Sequence, residues 1–125
     1  MRYRSLWLAL GWSIVAAIVS LSLAPSPPEL DLEQGDKLGH FAAYGTLMFW
    51  FCQLYVQRAT RVAYATGFVA MGVALEFIQG TTGYRSFEVL DMAANTLGVL
   101  LGWGLAALTG ADLMQRMERI AAKQR

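Results

Sequence analysis

Asp36, His40, Glu76, Gln79, Arg85, Asp91 and Asn95 can each carry charge or hydrogen-bond a ligand, and each lies in or beside a long apolar stretch. Ionisable groups are costly in an apolar setting and usually face a protein interior or a wet cavity. Three chemistries suit the set. A histidine with two carboxylates, here His40, Glu76 and Asp91, can do general acid–base work. The same three side chains have the donor atoms for a divalent metal, although no HExxH or comparable spaced ligand pair is present, so no metal ligand is assigned. Arg85 and Lys37 can hold an anionic head group, with Trp50 and Trp103 among the apolar surfaces for its chain. A purely structural reading stands beside these: Arg85 pairs with Asp91 or Glu76, Gln79 pairs with Asn95, and the network only pins helices together. No activated Ser or Cys nucleophile is evident. The lone Cys52 behaves as a small apolar residue, and a single cysteine excludes a disulfide within the chain.

The elements that must position these residues are four apolar stretches, 6–23, 38–56, 62–79 and 89–108. A bilayer core takes about 20 apolar residues to cross as a helix, and lipid cannot satisfy a bare backbone, so the stretches are expected to be helices. The chain of 125 residues is 56% hydrophobic and 15% charged, too apolar for an ordinary soluble domain and short enough for a single one. The expected fold is therefore all-α: a polytopic membrane protein with four transmembrane helices and a short C-terminal amphipathic helix, residues 111–125, lying at the interface. In that last segment Leu113, Met117, Ile120 and Ala121 recur at helical spacing, with Arg116, Arg119 and Lys123 on other faces.

Charge gives an orientation. Arg2, Arg4, Arg58, Arg61, Arg116, Arg119, Lys123 and Arg125 fall on one side of the four stretches, and only Lys37 and Arg85 on the other. The positive-inside rule then predicts cytoplasmic N- and C-termini in a bacterial inner membrane, with the candidate residues gathered at the outer mouth. The basic residues report topology; no basic stripe with interleaved aromatics points to nucleic acid. The first stretch reads as an uncleaved signal anchor, since its apolar run exceeds that of a signal peptide. Pro25, Pro27 and Pro28 stop the first helix, and Asp36 is a plausible N-cap for the second.

Periodicity groups the polar residues on helix faces. Asp91, Asn95, Gly98 and Gly102 share one face of the fourth stretch, and Gly98 with Gly102 makes a small-xxx-small pattern that permits close approach of a partner helix. Glu76 and Gln79 share a face of the third stretch with Gly72, and Gly110 suits a C-terminal cap.

These residues, taken in order, resemble the VanZ-like family of small bacterial membrane proteins. The resemblance runs through Ser22-Leu23-Ala24-Pro25, Asp36-Lys37-Leu38-Gly39-His40-Phe41, Glu76-Phe77-Ile78-Gln79, and the segment from Arg85 through Asp91 and Asn95 to Gly98. It implies a cell-envelope setting, and the family takes its name from a member associated with low-level teicoplanin resistance. It leaves enzyme and binder equally open. The expected ligand is a membrane lipid or a lipid-linked cell-wall precursor held by Asp36, Lys37, His40, Glu76, Gln79, Arg85, Asp91 and Asn95. The alternatives are acid–base catalysis on such a lipid through His40, Glu76 or Asp91, and an accessory structural role with no ligand. The sequence identifies no cofactor.

Overall fold

The computed structural model describes residues 3–23, 35–81, 89–110 and 113–124, without the side chains of residues 35–37. Arg85, the acidic segment before Gly35, and the side chains of Asp36 and Lys37 lie outside the described residues. Five helices follow one another: α1 (Arg4–Leu23), α2 (Gly35–Leu54), α3 (Arg58–Thr81), α4 (Val89–Thr109) and α5 (Leu113–Lys123). Among the described residues the regular structure is all helix, with no strand. Helix α2 begins at Gly35, so Asp36 lies in its first turn rather than at the cap.

Three of the helices, α1, α3 and α4, are long and apolar enough to cross a membrane. Their outer surfaces carry large apolar side chains: Leu6, Leu10 and Trp12 on α1, Val62 and Phe77 on α3, and Leu97, Leu100, Leu101 and Leu105 on α4 are all exposed. A soluble monomer rarely shows an apolar patch above a few hundred Å². The exposed surface is that of a membrane protein, with lipid as its solvent.

Helix α2 differs from the expected pattern. At 20 residues it has the length of a span, but it falls outside the set apolar enough to qualify by composition. The reason is its central place. Tyr44, Leu47, Met48, Phe51, Cys52 and Gln53 are buried, and α1, α3 and α4 all pack on it, α4 most extensively. A helix solvated by protein tolerates polar side chains that one solvated by lipid excludes.

The α2–α4 seam explains two glycines. A Cβ on Gly98 would collide with the carbonyl oxygen of Phe41, and one on Gly102 with that of Gly45. A Cβ on Gly45 would sit 3.2 Å from the Gly98 carbonyl oxygen. The small-xxx-small pattern thus has α2 as its partner, and the two backbones meet with no side chain between them.

Polar ties hold the opposite end of the bundle. Gly110 takes φ 91°, a left-handed conformation that favours glycine, and its N–H closes on the Ala106 carbonyl at 2.9 Å. The buried Gln53 ties the end of α4 to the start of α5: its Nε2 donates to the Gly110 carbonyl and its Oε1 accepts from the Leu113 N–H, both at 3.1 Å. The link from α2 to α3 is only residues 55–57, shorter than the sequence suggests. Arg61, expected in that loop, lies in α3 and donates to the carbonyls of Tyr55 and Cys52, both at 2.8 Å, satisfying the end of α2.

Substituting Gly102→Ala is expected to cost about 1–3 kcal/mol through overpacking and to lower Tm in mild detergent. Gly104→Ala, whose Cβ would meet nothing within 4 Å, is expected to leave Tm unchanged. Thermal unfolding followed by circular dichroism measures both.

Candidate functional site

The candidate residues gather at the end of the bundle where α1 and α3 finish and α2 and α4 begin. Each is placed by helical spacing. Asp91 stands in the first turn of α4 and Asn95 one turn further in, and both are buried. Glu76 and Gln79 occupy the last turns of α3 on its inward face, with Gly72 one turn deeper, and all three are buried. His40 stands on α2 opposite Asp91, its Nε2 3.8 Å from Asp91 Oδ2, and its side chain keeps 16% exposure against 8% for Asp91. That separation is too long for a hydrogen bond. His40 is therefore the accessible member and Asp91 the sheltered one.

Below this rim lies a tighter layer. Asn95 rests against the bare backbone of Gly72: a Cβ there would come within 2.9 Å of Asn95 Nδ2 and 3.4 Å of the Tyr44 ring. Tyr44, four residues after His40 on the same face of α2, is 1% exposed and stands within electrostatic reach of the Glu76 carboxylate. Asn95 Oδ1 is buried and has no hydrogen-bond partner among the described residues. An orphaned acceptor of this kind costs about 1–3 kcal/mol, so it needs an explanation in function or hydration. From Asp91 to Asn95 the site descends one helical turn, about 5 Å.

The structure separates the expected constellation into parts with different work. His40 and Asp91 come together, and Asn95 faces Gly72 and Tyr44. Gln79 does not pair with Asn95 as the structural reading supposed. Its Nε2 donates to the Ser22 carbonyl at 2.6 Å, so it ties the last turn of α1 to α3. No group of three His, Cys, Asp or Glu side chains among the described residues is placed to hold a metal ion. Trp50 is removed from the mouth: its indole N–H donates to the Trp7 carbonyl at 2.8 Å, and the two rings lie 5.6 Å apart. It belongs to the α1–α2 seam at the far end. Trp103 is half-buried against the core, on the last turns of α4. Lys37, Arg85 and the Asp36 side chain lie outside the described residues.

Sequence reasoning passed over Tyr44 and Ser22. The 36–40–44 spacing on α2 carried the signal for Tyr44, since those positions share a face. Ser22 contributes its main-chain oxygen, and a carbonyl leaves no trace in residue type.

Helix α1 buries only Gly11 and Ser22, so polar ties carry much of its attachment. Gln79→Leu leaves the Ser22 carbonyl without this donor in a low-dielectric setting, a loss of about 1–3 kcal/mol. The expected result is a lowered Tm with faster amide exchange confined to the last turns of α1, read by hydrogen exchange with mass spectrometry.

The geometry sits within a region of known kinship. Residues 4–110 match the VanZ/LLP1 family. An uncharacterized protein of the fission yeast Schizosaccharomyces pombe is 34% identical over 91 residues, which cover 70% of this chain and 56% of the relative. The chain thus spans little more than half the length of that relative. No solved structure matches. With the match covering all of α1 to α4, the chain belongs to the VanZ/LLP1 family.

Proposed function

We propose that the mouth binds a membrane lipid whose head group carries both a phosphate and hydroxyl or amine donors. The observation that carries this reading is Asn95 Oδ1, a buried acceptor without a hydrogen-bond partner among the described residues, beneath a rim formed by His40 and Asp91. Carboxylate and amide oxygens accept from hydroxyl or ammonium groups. Lys37 and Arg85 meet the phosphate in this proposal, as the bidentate reach of arginine suits it. Gln79 holds the wall by fixing α1. A relative in a fungus favours a lipid class common to both over a precursor particular to bacterial walls. A connection to glycopeptide resistance runs, in this reading, through the envelope lipid and not through the drug.

A second reading draws on the His40–Asp91 pair. An accessible imidazole with a sheltered carboxylate 3.8 Å away is a pairing that general-base chemistry uses. On this reading the bound lipid is a substrate, with His40 moving the proton and Asp91 positioning His40.

In the membrane, α2 is the fourth span, shielded from lipid by its neighbours, and the mouth faces outward in an inner membrane. Charge supports that orientation: Arg4, Arg58, Arg61, Arg119 and Lys123 lie toward the opposite end. A reporter that is fluorescent only in the cytoplasm, fused after Arg125, is expected to be bright; a dark fusion with full-length protein reverses the orientation.

Native mass spectrometry of gently extracted protein tests the ligand. The wild type is expected to carry a lipid adduct that is lost or weakened at least tenfold in Asn95→Leu and Asp91→Asn, both still folded by circular dichroism. An adduct retained equally by both folded variants removes the lipid from the mouth. Absence of any adduct, with both variants less stable, moves the polar residues to a structural role.

A further inference from the structure

Helix α5 is divided into three sectors. At 100° per residue, Met114 and Glu118 point one way, Leu113, Met117 and Ile120 a second, and Arg116, Arg119 and Lys123 a third. The first sector is fixed to the bundle. Met114 is 2% exposed. Glu118 Oε1 accepts from the Tyr3 N–H at 2.6 Å and from the Trp7 indole N–H at 3.1 Å. Gln53 holds Gly110 and the first residue of α5, Leu113, with the two ends of its amide. The helix cannot roll to hide its second sector under the bundle without breaking these ties. That sector is open: Leu113 is 39% exposed, Met117 49% and Ile120 59%. The basic sector borders it directly.

We infer that α5 is a docking element for an anionic lipid surface, at the end of the bundle where α1 begins and α4 ends, with Leu113, Met117 and Ile120 inserted among acyl chains and Arg119 and Lys123 against phosphate head groups. The occupant follows from the pairing of the two exposed sectors. A continuous apolar stripe beside a basic one matches the boundary between acyl chains and anionic head groups. The adjacent spans α1 and α4 already bring that boundary to the same level. Each basic side chain near an anionic surface adds about fivefold to its affinity. The inference is independent of the ligand at the mouth, which lies at the other end.

The test uses full-length protein in lipid nanodiscs, with Cys52→Ala as background and a single environment-sensitive fluorophore at Met117→Cys or, on the opposite side of α5, at Ala122→Cys. Nitroxide-bearing lipid supplies the quencher. In discs of phosphatidylcholine with a third phosphatidylglycerol, the label at position 117 is expected to be quenched at least twofold more than that at 122. Neutralising both cations with Arg119→Gln and Lys123→Gln is expected to reduce the difference substantially. Equal quenching at the two positions overturns the proposal, as does a difference that ignores both phosphatidylglycerol and the two cations. In the latter case the stripe sits in lipid by apolarity alone.

Discussion

The contact between the bare backbones of α2 and α4 governs the geometry of the rest. Gly98 and Gly102 admit the carbonyls of Phe41 and Gly45 where any side chain would intrude. In lipid, apolar side chains gain little from leaving their solvent, so helices associate through close packing and polar ties. The glycine seam supplies the first. Its register also fixes the mouth: it begins within two turns of His40 on α2 and of Asp91 on α4, and so holds that pair at 3.8 Å. A shift of one residue along the seam would turn the pair out of reach.

Polar groups supply the second. At each end of the bundle an amide side chain reaches a main-chain carbonyl at a helix terminus: Gln79 to Ser22 and Gln53 to Gly110. Helix ends leave carbonyls without intrahelical partners, and lipid offers no replacement. These side chains therefore stabilise the bundle where they are most needed. Helix α1 shows the principle most clearly. It buries little surface, yet Gln79, Trp50 and Glu118 bond it near both termini. Between those ties an aromatic group built on Phe51, Tyr64 and Trp12 fills the contact by edge and stacked packing.

Against this background Asn95 stands out in function. Gln79 and Gln53 have visible structural employment, whereas the Asn95 oxygen is buried without a hydrogen-bond partner among the described residues. Its position beneath an accessible histidine and a sheltered carboxylate suits the ligand-binding floor proposed above. Tyr44 and Gly72 shape that floor, one by bulk and the other by its absence.

The sequence by itself determined the helices, their approximate limits, the membrane setting and the family. Lipid imposes the helices and their setting through length, apolarity and backbone satisfaction, which are local properties of each stretch, and the family is legible in the ordered polar residues from Asp36 to Asn95. It also determined that Asp91 and Asn95 share a face with Gly98 and Gly102, and Glu76 and Gln79 with Gly72, because helical spacing alone sets a face. It could not determine which faces meet. That Gly98 and Gly102 receive α2, that Gln79 reaches a Ser22 carbonyl instead of Asn95, that Trp50 reaches the Trp7 carbonyl, and that Gln53 and Glu118 clamp α5 all depend on rotations and offsets between helices. Those are decided by the close fit of whole surfaces, and main-chain acceptors such as the Ser22 and Gly110 carbonyls are the same at every residue and leave no mark in the sequence.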